Sequence, residues 1–374
     1  MRYIDYAKKH MDILCAKYSQ MLPSELDLRG DVYSEERLPK FKRVYRNIDA
    51  PNGRTAYWDQ PLIQFSALLG GKYKTLAKNI TKDFLDKSKA TNNMLLWGNH
   101  YYYSDLEQSI VKFVGEEQPV KCITDETGHL HELRPILPCF ELLFEVDSTF
   151  TKKYIYQLLK MHLVNEETGE FNRHADNKRG YAFLESGGIL ANIACILYKK
   201  NGDSTLIDYA KKVVGYSYSF SNTTTGLIEN CPTQDRWDKY HATTETFHWC
   251  NSILNCYEIT NDKYFLDLVK KAADSYIRYG VDTTKNKIFG CINVTTGMPI
   301  TSDNKETIYM PDIYSNPWQT FFPTHDYIYA MAEVLLRLYN IFKNDIYLNV
   351  EKLLLHRLNP SISLIPLQKT TVIV

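Results

Sequence analysis

The chain has 374 residues, with Lys plus Arg at 44 and Asp plus Glu at 44, so its formal net charge is zero. That balance excludes the broad basic field that draws proteins to nucleic acid or anionic membranes, and leaves only local charge to account for any ligand. Hydrophobic residues make up 44% and charged residues 24%, values of a globular chain with a substantial core, which argues against a disordered one.

Taken from the N-terminus, "MRYIDYAKKHMDIL" predicts a helix from near Tyr3. It lacks the apolar segment of a signal peptide, and no run in the chain is long enough to span a bilayer. The compartment is left open between bacterial cytoplasm and periplasm. A paired-helix pattern then recurs. "SALLGGKYKTLAKNITKDFLDKS" (66–88), "LLFEVDSTFTKKYIYQLLKMHLV" (142–164), "ILYKKNGDSTLIDYAKKVVGYSYSF" (196–220), "NCYEITNDKYFLDLVKKAADSYIRYG" (255–280) and "LLRLYNIFKNDIYLNVEKLLLHRL" (335–358) each read as helix, turn, helix. Leu206, Tyr209, Ala210, Val213 and Val214 show the apolar spacing of a helix face, and Gly-Asp or Asn-Asp supplies the turn. The central units repeat at about 55–60 residues, the scale of repeated helical hairpins.

Short segments follow the second helices: "NEETGEF" (165–171), "NTTTGLI" (222–228) and "TTKNKIF" (283–289). Five hairpins and the N-terminal helix leave room for about six units, which close into a ring or extend as a solenoid. Long polar, aromatic inserts favour the ring. The expectation is an all-α chain, an (α/α)6 toroid of repeated hairpins with inserts at one mouth, forming a single domain over 1–374. Its tail, about 359–374, reads as irregular or strand-like.

The eight cysteines form no C-x-x-C pair and no zinc-type spacing, so they read as reduced and structural. His129-x-His131 lacks a third ligand at metal-site spacing, and Gly187-Gly188 is no nucleotide loop and reads as close helix packing. The expectation is no metal and no cofactor.

Chemistry concentrates in the inserts. "TAYWDQP" carries Trp58 and Asp59. "LLWGNHYYYSDLE" carries Trp97, His100 and Tyr102. "TGHLHELRPILP" carries His131, Glu132 and Arg134. "FNRHADN" sets Asn172, Arg173 and His174 side by side. "CPTQDRWDKYHATTETFHW" carries Arg236, Trp237, Asp238, His241, Glu245 and His248. Each group has an ordinary explanation: a buried histidine bonded to a carbonyl, Asp235-Arg236 as a local ion pair, His241 and Glu245 paired at i and i+4 on a helix.

Jointly they suit an acidic sugar. Arg173 and Arg236 can hold a carboxylate with two hydrogen bonds each, and the indole and phenol rings can stack on sugar faces. Hydrolysis then needs a proton donor and an opposing base or nucleophile. Glu132 with His131 as donor and Asp238 as base fit, with His174 and His241 as further proton-transfer candidates. Elimination needs the uronate neutralised and its C5 proton removed, and the same inserts hold the residue types for that. A third reading is a non-catalytic helical-repeat binding module. The expected partner is a uronic-acid-containing oligosaccharide, with neither nucleic acid nor membrane; a homodimer is compatible with the sequence.

"WGNHYYYSD", "HELRPILPCFELLFEVD", "ETGEFNRHAD" and "DRWDKYHATTE", in this order between hairpins, resemble six-hairpin glycosidase-like enzymes. The resemblance is closest to the branch of family 154 glycoside hydrolase β-glucuronidases and pectate-lyase-like proteins, and spans roughly 56–339. It implies an (α/α)6 fold and a pocket lined by His100, His131, Glu132, Asn172, Arg173, His174, Arg236, Asp238 and His241. The aspartate-centred motifs of the related unsaturated uronyl hydrolases have no clear counterpart. On this reading the leading expectation is removal of a terminal uronic acid by hydrolysis, with lyase chemistry second.

Overall fold

The computed structural model describes residues 5, 8–9, 11–12, 53–54, 56–89, 94–96, 101–104, 109–112, 120–121, 131, 133, 137–175, 183–233, 239–285, 287–300 and 328–358. The expected pairing of helices is present. The pairs are α1 (Ala56–Leu69) with α2 (Gly71–Ser88), α3 (Phe140–Val146) with α4 (Ser148–His162), and α5 (Leu184–Asn201) with α6 (Thr205–Tyr218). They continue with α7 (Thr246–Thr260) and α8 (Lys263–Gly280), then α9 (Ile328–Phe342) and α10 (Asp345–Leu358). Asp5, Lys8, Lys9, Met11 and Asp12 are helical as well, in line with the N-terminal expectation.

The turns use the chemistry their residues carry. Gly202 takes φ of +74° after α5, a region open to glycine at little cost, and Asp203 then accepts the Thr205 N–H at 3.1 Å. Asn261 closes α7 in the left-handed region, and Asp262 caps α8 by accepting the Tyr264 N–H at 3.0 Å. Asp147 caps α4 through the Phe150 N–H at 2.8 Å.

Small sheets fill part of what the sequence leaves as inserts. An antiparallel sheet runs in the order β1 (Gly53–Arg54), β2 (Tyr101–Ser104), β3 (Ser109–Lys112), β4 (Val120–Lys121). Three pairs join β5 (Leu163–Asn165) to β6 (Glu170–Phe171), β7 (His241–Thr243) to β10 (Cys291–Asn293), and β8 (Val281–Asp282) to β9 (Lys287–Ile288).

The segment that recurs after helices is one turn made several times. Asn165, Asn222 and Asn293 each accept, on Oδ1, the N–H groups two and three residues on, at 2.8 to 3.1 Å. A threonine three residues on accepts a further N–H, and the following glycine, Gly169, Gly226 or Gly297, has φ of +76°, +73° or +68°. Asp282 makes the same pair of bonds without the glycine. The sequence pattern shows the turns at 165, 222 and 282 because helices precede them; the copy at 293 follows a strand and goes unseen.

Two compact units divide the chain. One comprises 1–182, 193–213 and 310–317; the other comprises 183–192, 214–309 and 318–374. In the first, Ile63, Ala77, Ile80 and Leu142 form a buried cluster shared by α1, α2 and α3. Gln60 accepts the Cys139 N–H at 2.5 Å and Gln64 donates to the Leu137 carbonyl at 2.6 Å, which satisfies the backbone entering α3. In the second, a Cβ on Gly188 would lie 3.0 Å from the Trp249 Cα and 3.1 Å from the Ser252 Cβ, so this glycine serves helix packing, as expected. Phe247 and Tyr276, both buried, meet edge to face at 5.1 Å.

Cys139, Cys195, Cys231, Cys250, Cys256 and Cys291 are free thiols, all but Cys139 buried. Among the described residues no helix is long and apolar enough to cross a membrane.

Candidate active site

Helix α4 ends at His162, and the chain enters β5, turns at Asn165 and returns along β6. Leu163 pairs with Phe171, whose ring is buried, so the hairpin is anchored just before Asn172, Arg173 and His174. The turn and Phe171 belong to the repeated scaffold; the polar triplet is what this copy adds.

The triplet is held from both sides. The Asn172 N–H donates to the His162 carbonyl at 2.8 Å, and the His162 Nδ1 lies 2.7 Å from the Asn172 carbonyl oxygen. The Leu133 N–H donates to the Arg173 carbonyl at 3.0 Å, and the Ala175 N–H donates to the His131 carbonyl at 3.2 Å. Asn172 Oδ1 accepts the His174 N–H at 2.8 Å, which fixes the backbone around Arg173 and His174. Behind the loop, His131 Nδ1 and His162 Nε2 are 2.7 Å apart, and His131 Nε2 is 3.0 Å from the Tyr154 hydroxyl. Burial pushes that hydroxyl's pKa far above its ordinary value, so Tyr154 keeps its proton.

Asn172 is fully buried and its Nδ2 makes no hydrogen bond. Arg173 is 8% exposed and His174 is half-buried. The planar fork of a guanidinium matches the geometry of a carboxylate. An imidazole one residue away adds a proton-transfer group. Anion binding beside a base is the chemistry this arrangement offers.

The other expected residues fall as follows. His131 is buried and both ring nitrogens have partners in the core of its unit. Trp58 and Asp59 lie on α1 and Tyr102 on β2, with their side chains outside the described residues. Trp97, His100, Glu132, Arg236, Trp237 and Asp238 lie outside the described residues altogether. His162 and Tyr154 escape the sequence reading because both fit the apolar period of α4. The signal that finds His162 is its place at a helix C-terminus, three residues before an Asn turn.

In the second unit the expected His241–Glu245 helix face does not form. His241 is in β7 opposite Asn293, and Glu245 precedes α7 after a turn. The β-branched Thr243 and Thr244 favour extended backbone, and the ladder of β7 to β10 replaces the helical pairing. His248, in the first turn of α7, has its pKa lowered by burial from 6.5 to about 4. Because the folded value lies below the unfolded one, the unfolded chain takes the proton first as pH falls from 6.5 towards 4, and stability drops across that window. We expect His248→Leu to lose about 2 kcal/mol less than the parent between pH 7 and pH 5, measured by urea unfolding.

A family profile described as periplasmic pectate lyase matches residues 60–264, which is more than half of the chain. Among solved structures, a D-mannose isomerase aligns with TM-score 0.57 and 13% identity, over 94% of this chain and 85% of that one. A cellobiose 2-epimerase from Bacillus thermoamylovorans B4167 aligns with TM-score 0.55 and 12% identity, over 85% and 78%. At such identities these likenesses speak to the fold alone, which is an (α/α)6 arrangement. With the profile running from within α1 to the start of α8 and including the Asn-Arg-His loop, the chain belongs to the periplasmic pectate lyase family.

Proposed function

We propose that this protein is a carbohydrate-processing enzyme that cleaves a pectate-type uronic-acid polymer by β-elimination, with Arg173 and His174 at the reacting sugar. The observation that carries the reading is the held triplet: a buried guanidinium and a half-buried imidazole on one loop, in a chain of the pectate lyase family. Periplasmic location, named in the family's description, is part of the proposal.

The reaction divides between two tasks. One group neutralises the uronate carboxylate, which acidifies the C5 proton; the other removes that proton. The C5–H electrons form the C4=C5 double bond, the C4–O bond breaks, and the leaving oxygen takes a proton. Arg173 and His174 supply both tasks. The pH profile of kcat/KM assigns them: a rising limb in the neutral range marks the imidazole as base, whereas a rise continuing far into the alkaline range marks the guanidine. Trp58, Asp59, Trp97, His100 and Tyr102 are proposed as sugar-binding by residue type. So are Arg236, Trp237, Asp238 and His241, and alanine variants in the same assay test each.

Hydrolytic release of a terminal uronate is the second reading. Glu132 and Asp238 carry it, as the carboxylates in motifs resembling the β-glucuronidase branch. Digestion of polygalacturonate and of glucuronate-bearing oligosaccharides, followed by near-ultraviolet absorbance, separates the two. Elimination creates a double bond conjugated with the carboxylate and absorbance grows; hydrolysis leaves it flat. The assay is run with added divalent cation and after chelation, so that a cation requirement is not mistaken for inactivity.

A further inference from the structure

The direction of the three hydrogen bonds that link Tyr154, His131, His162 and the Asn172 carbonyl can be deduced from the far end. The Asn172 carbonyl can only accept, so His162 carries its proton on Nδ1. A neutral His162 then presents a lone pair on Nε2, so His131 donates from Nδ1 across the 2.7 Å contact. His131 Nε2 is left as an acceptor and takes the Tyr154 hydroxyl proton at 3.0 Å. All three side chains are buried, and these three contacts are satisfied with both rings neutral.

We propose that Tyr154 and His131, through a one-way hydrogen-bond chain, set the tautomer of His162, and that the resulting His162 Nδ1–H bond to the Asn172 carbonyl positions Arg173 and His174 for the reaction. The inference rests on the elimination reading above. The three act through the loop and do not touch substrate. His162 holds Asn172 through its ring and its carbonyl, and His131 holds Ala175 through its carbonyl, so the two histidines bracket the reactive pair. The last link, His162 to the Asn172 carbonyl, fixes the peptide that leads into Arg173. Small misplacements at reacting groups are costly, with about 100-fold in rate for roughly 1 Å.

Two substitutions of similar polarity separate positioning from general stability. An asparagine amide nitrogen falls where the histidine Nδ1 lies, so His162→Asn keeps the donor to the Asn172 carbonyl and loses the link to His131. A glutamine amide falls nearer the Nε2 position, so His162→Gln keeps the link to His131 and loses the donor. We expect His162→Asn to keep kcat within about 3-fold, and His162→Gln to lose about 30-fold or more in kcat with KM little changed. Equal kcat losses in the two variants at equal thermal stability would overturn the proposal.

A second measurement needs no substrate. In full-length protein with 15N-labelled histidine at neutral pH, His131 and His162 are expected as neutral rings protonated on Nδ1, and Tyr154→Phe is expected to perturb His131 Nε2 first. Protonation of His162 on Nε2 alone would overturn the chain's direction. If the parent enzyme shows no elimination, the proposed function fails by itself, and the nitrogen spectra still decide whether the chain exists.

Discussion

Replacing Arg173 by alanine is expected to lower kcat/KM on polygalacturonate by about 1,000-fold or more, the scale seen when a preorganised charge or donor is removed from a reacting centre. Lysine is expected to recover little of that loss, because an ammonium offers a point charge where the guanidinium offers a planar fork for a carboxylate. The fold is expected to survive both changes. The Arg173 backbone bond to Leu133 remains, and Asn172 still holds the His174 N–H. Thermal unfolding of the variants close to that of the parent, alongside the kinetic loss, would place the effect in the chemistry. Near-parental kcat/KM in Arg173→Lys would show that a fork is unnecessary and would remove the main support for carboxylate recognition.

Gly169→Ala is expected to be the most destabilising single methyl in the loop scaffold, costing about 3 kcal/mol or more. Gly169 combines two demands. Its φ of +76° belongs to the left-handed region, and a Cβ there would lie 2.4 Å from both the carbonyl carbon and oxygen of Lys212 in α6. Those are backbone atoms inside a helix, so no side-chain rotation relieves the clash. Gly202 is the internal control: its φ is +74°, yet nothing lies within 4 Å of its Cβ position. Gly202→Ala should cost only the conformational term, about 1 kcal/mol. Urea unfolding of the two variants side by side measures the difference. Equal costs would mean that the approach of α6 to the turn contributes nothing.

The contrast between these glycines shows what a sequence reveals and what it hides. "ETGEF" and "KNGDS" both announce turns, and both are turns with a left-handed glycine. Only the fold shows that one glycine lies against a helix backbone and the other against open space. The helices were legible because apolar spacing is a local property: Ala210, Val213 and Val214, read from the sequence as one face, are fully buried. The strand β7 was not legible, since His241 and Glu245 fall at helical spacing by coincidence, and pairing with Cys291–Asn293 depends on residues far along the chain.

The candidate site was half legible for a similar reason. Asn172, Arg173 and His174 stand out as three polar groups in a row, so composition alone flags them. His131 drew notice in the sequence as an aid to Glu132, whereas the structure gives its ring two buried partners and its carbonyl the Ala175 N–H. Tyr154 and His162 look like ordinary members of a helix, and their role exists only once α4 has brought both to His131. A hydrogen-bond chain assembled from segments 31 and 23 residues apart leaves no local trace.

The central claim is that the bond is broken by elimination. The most direct test is the mass of all products from complete digestion of a defined oligogalacturonate by the full-length protein. Elimination is expected to give products whose masses sum to that of the substrate, with one unsaturated non-reducing end for each bond cleaved. Products whose masses sum to substrate plus one water per bond cleaved would contradict it and assign the chemistry to hydrolysis.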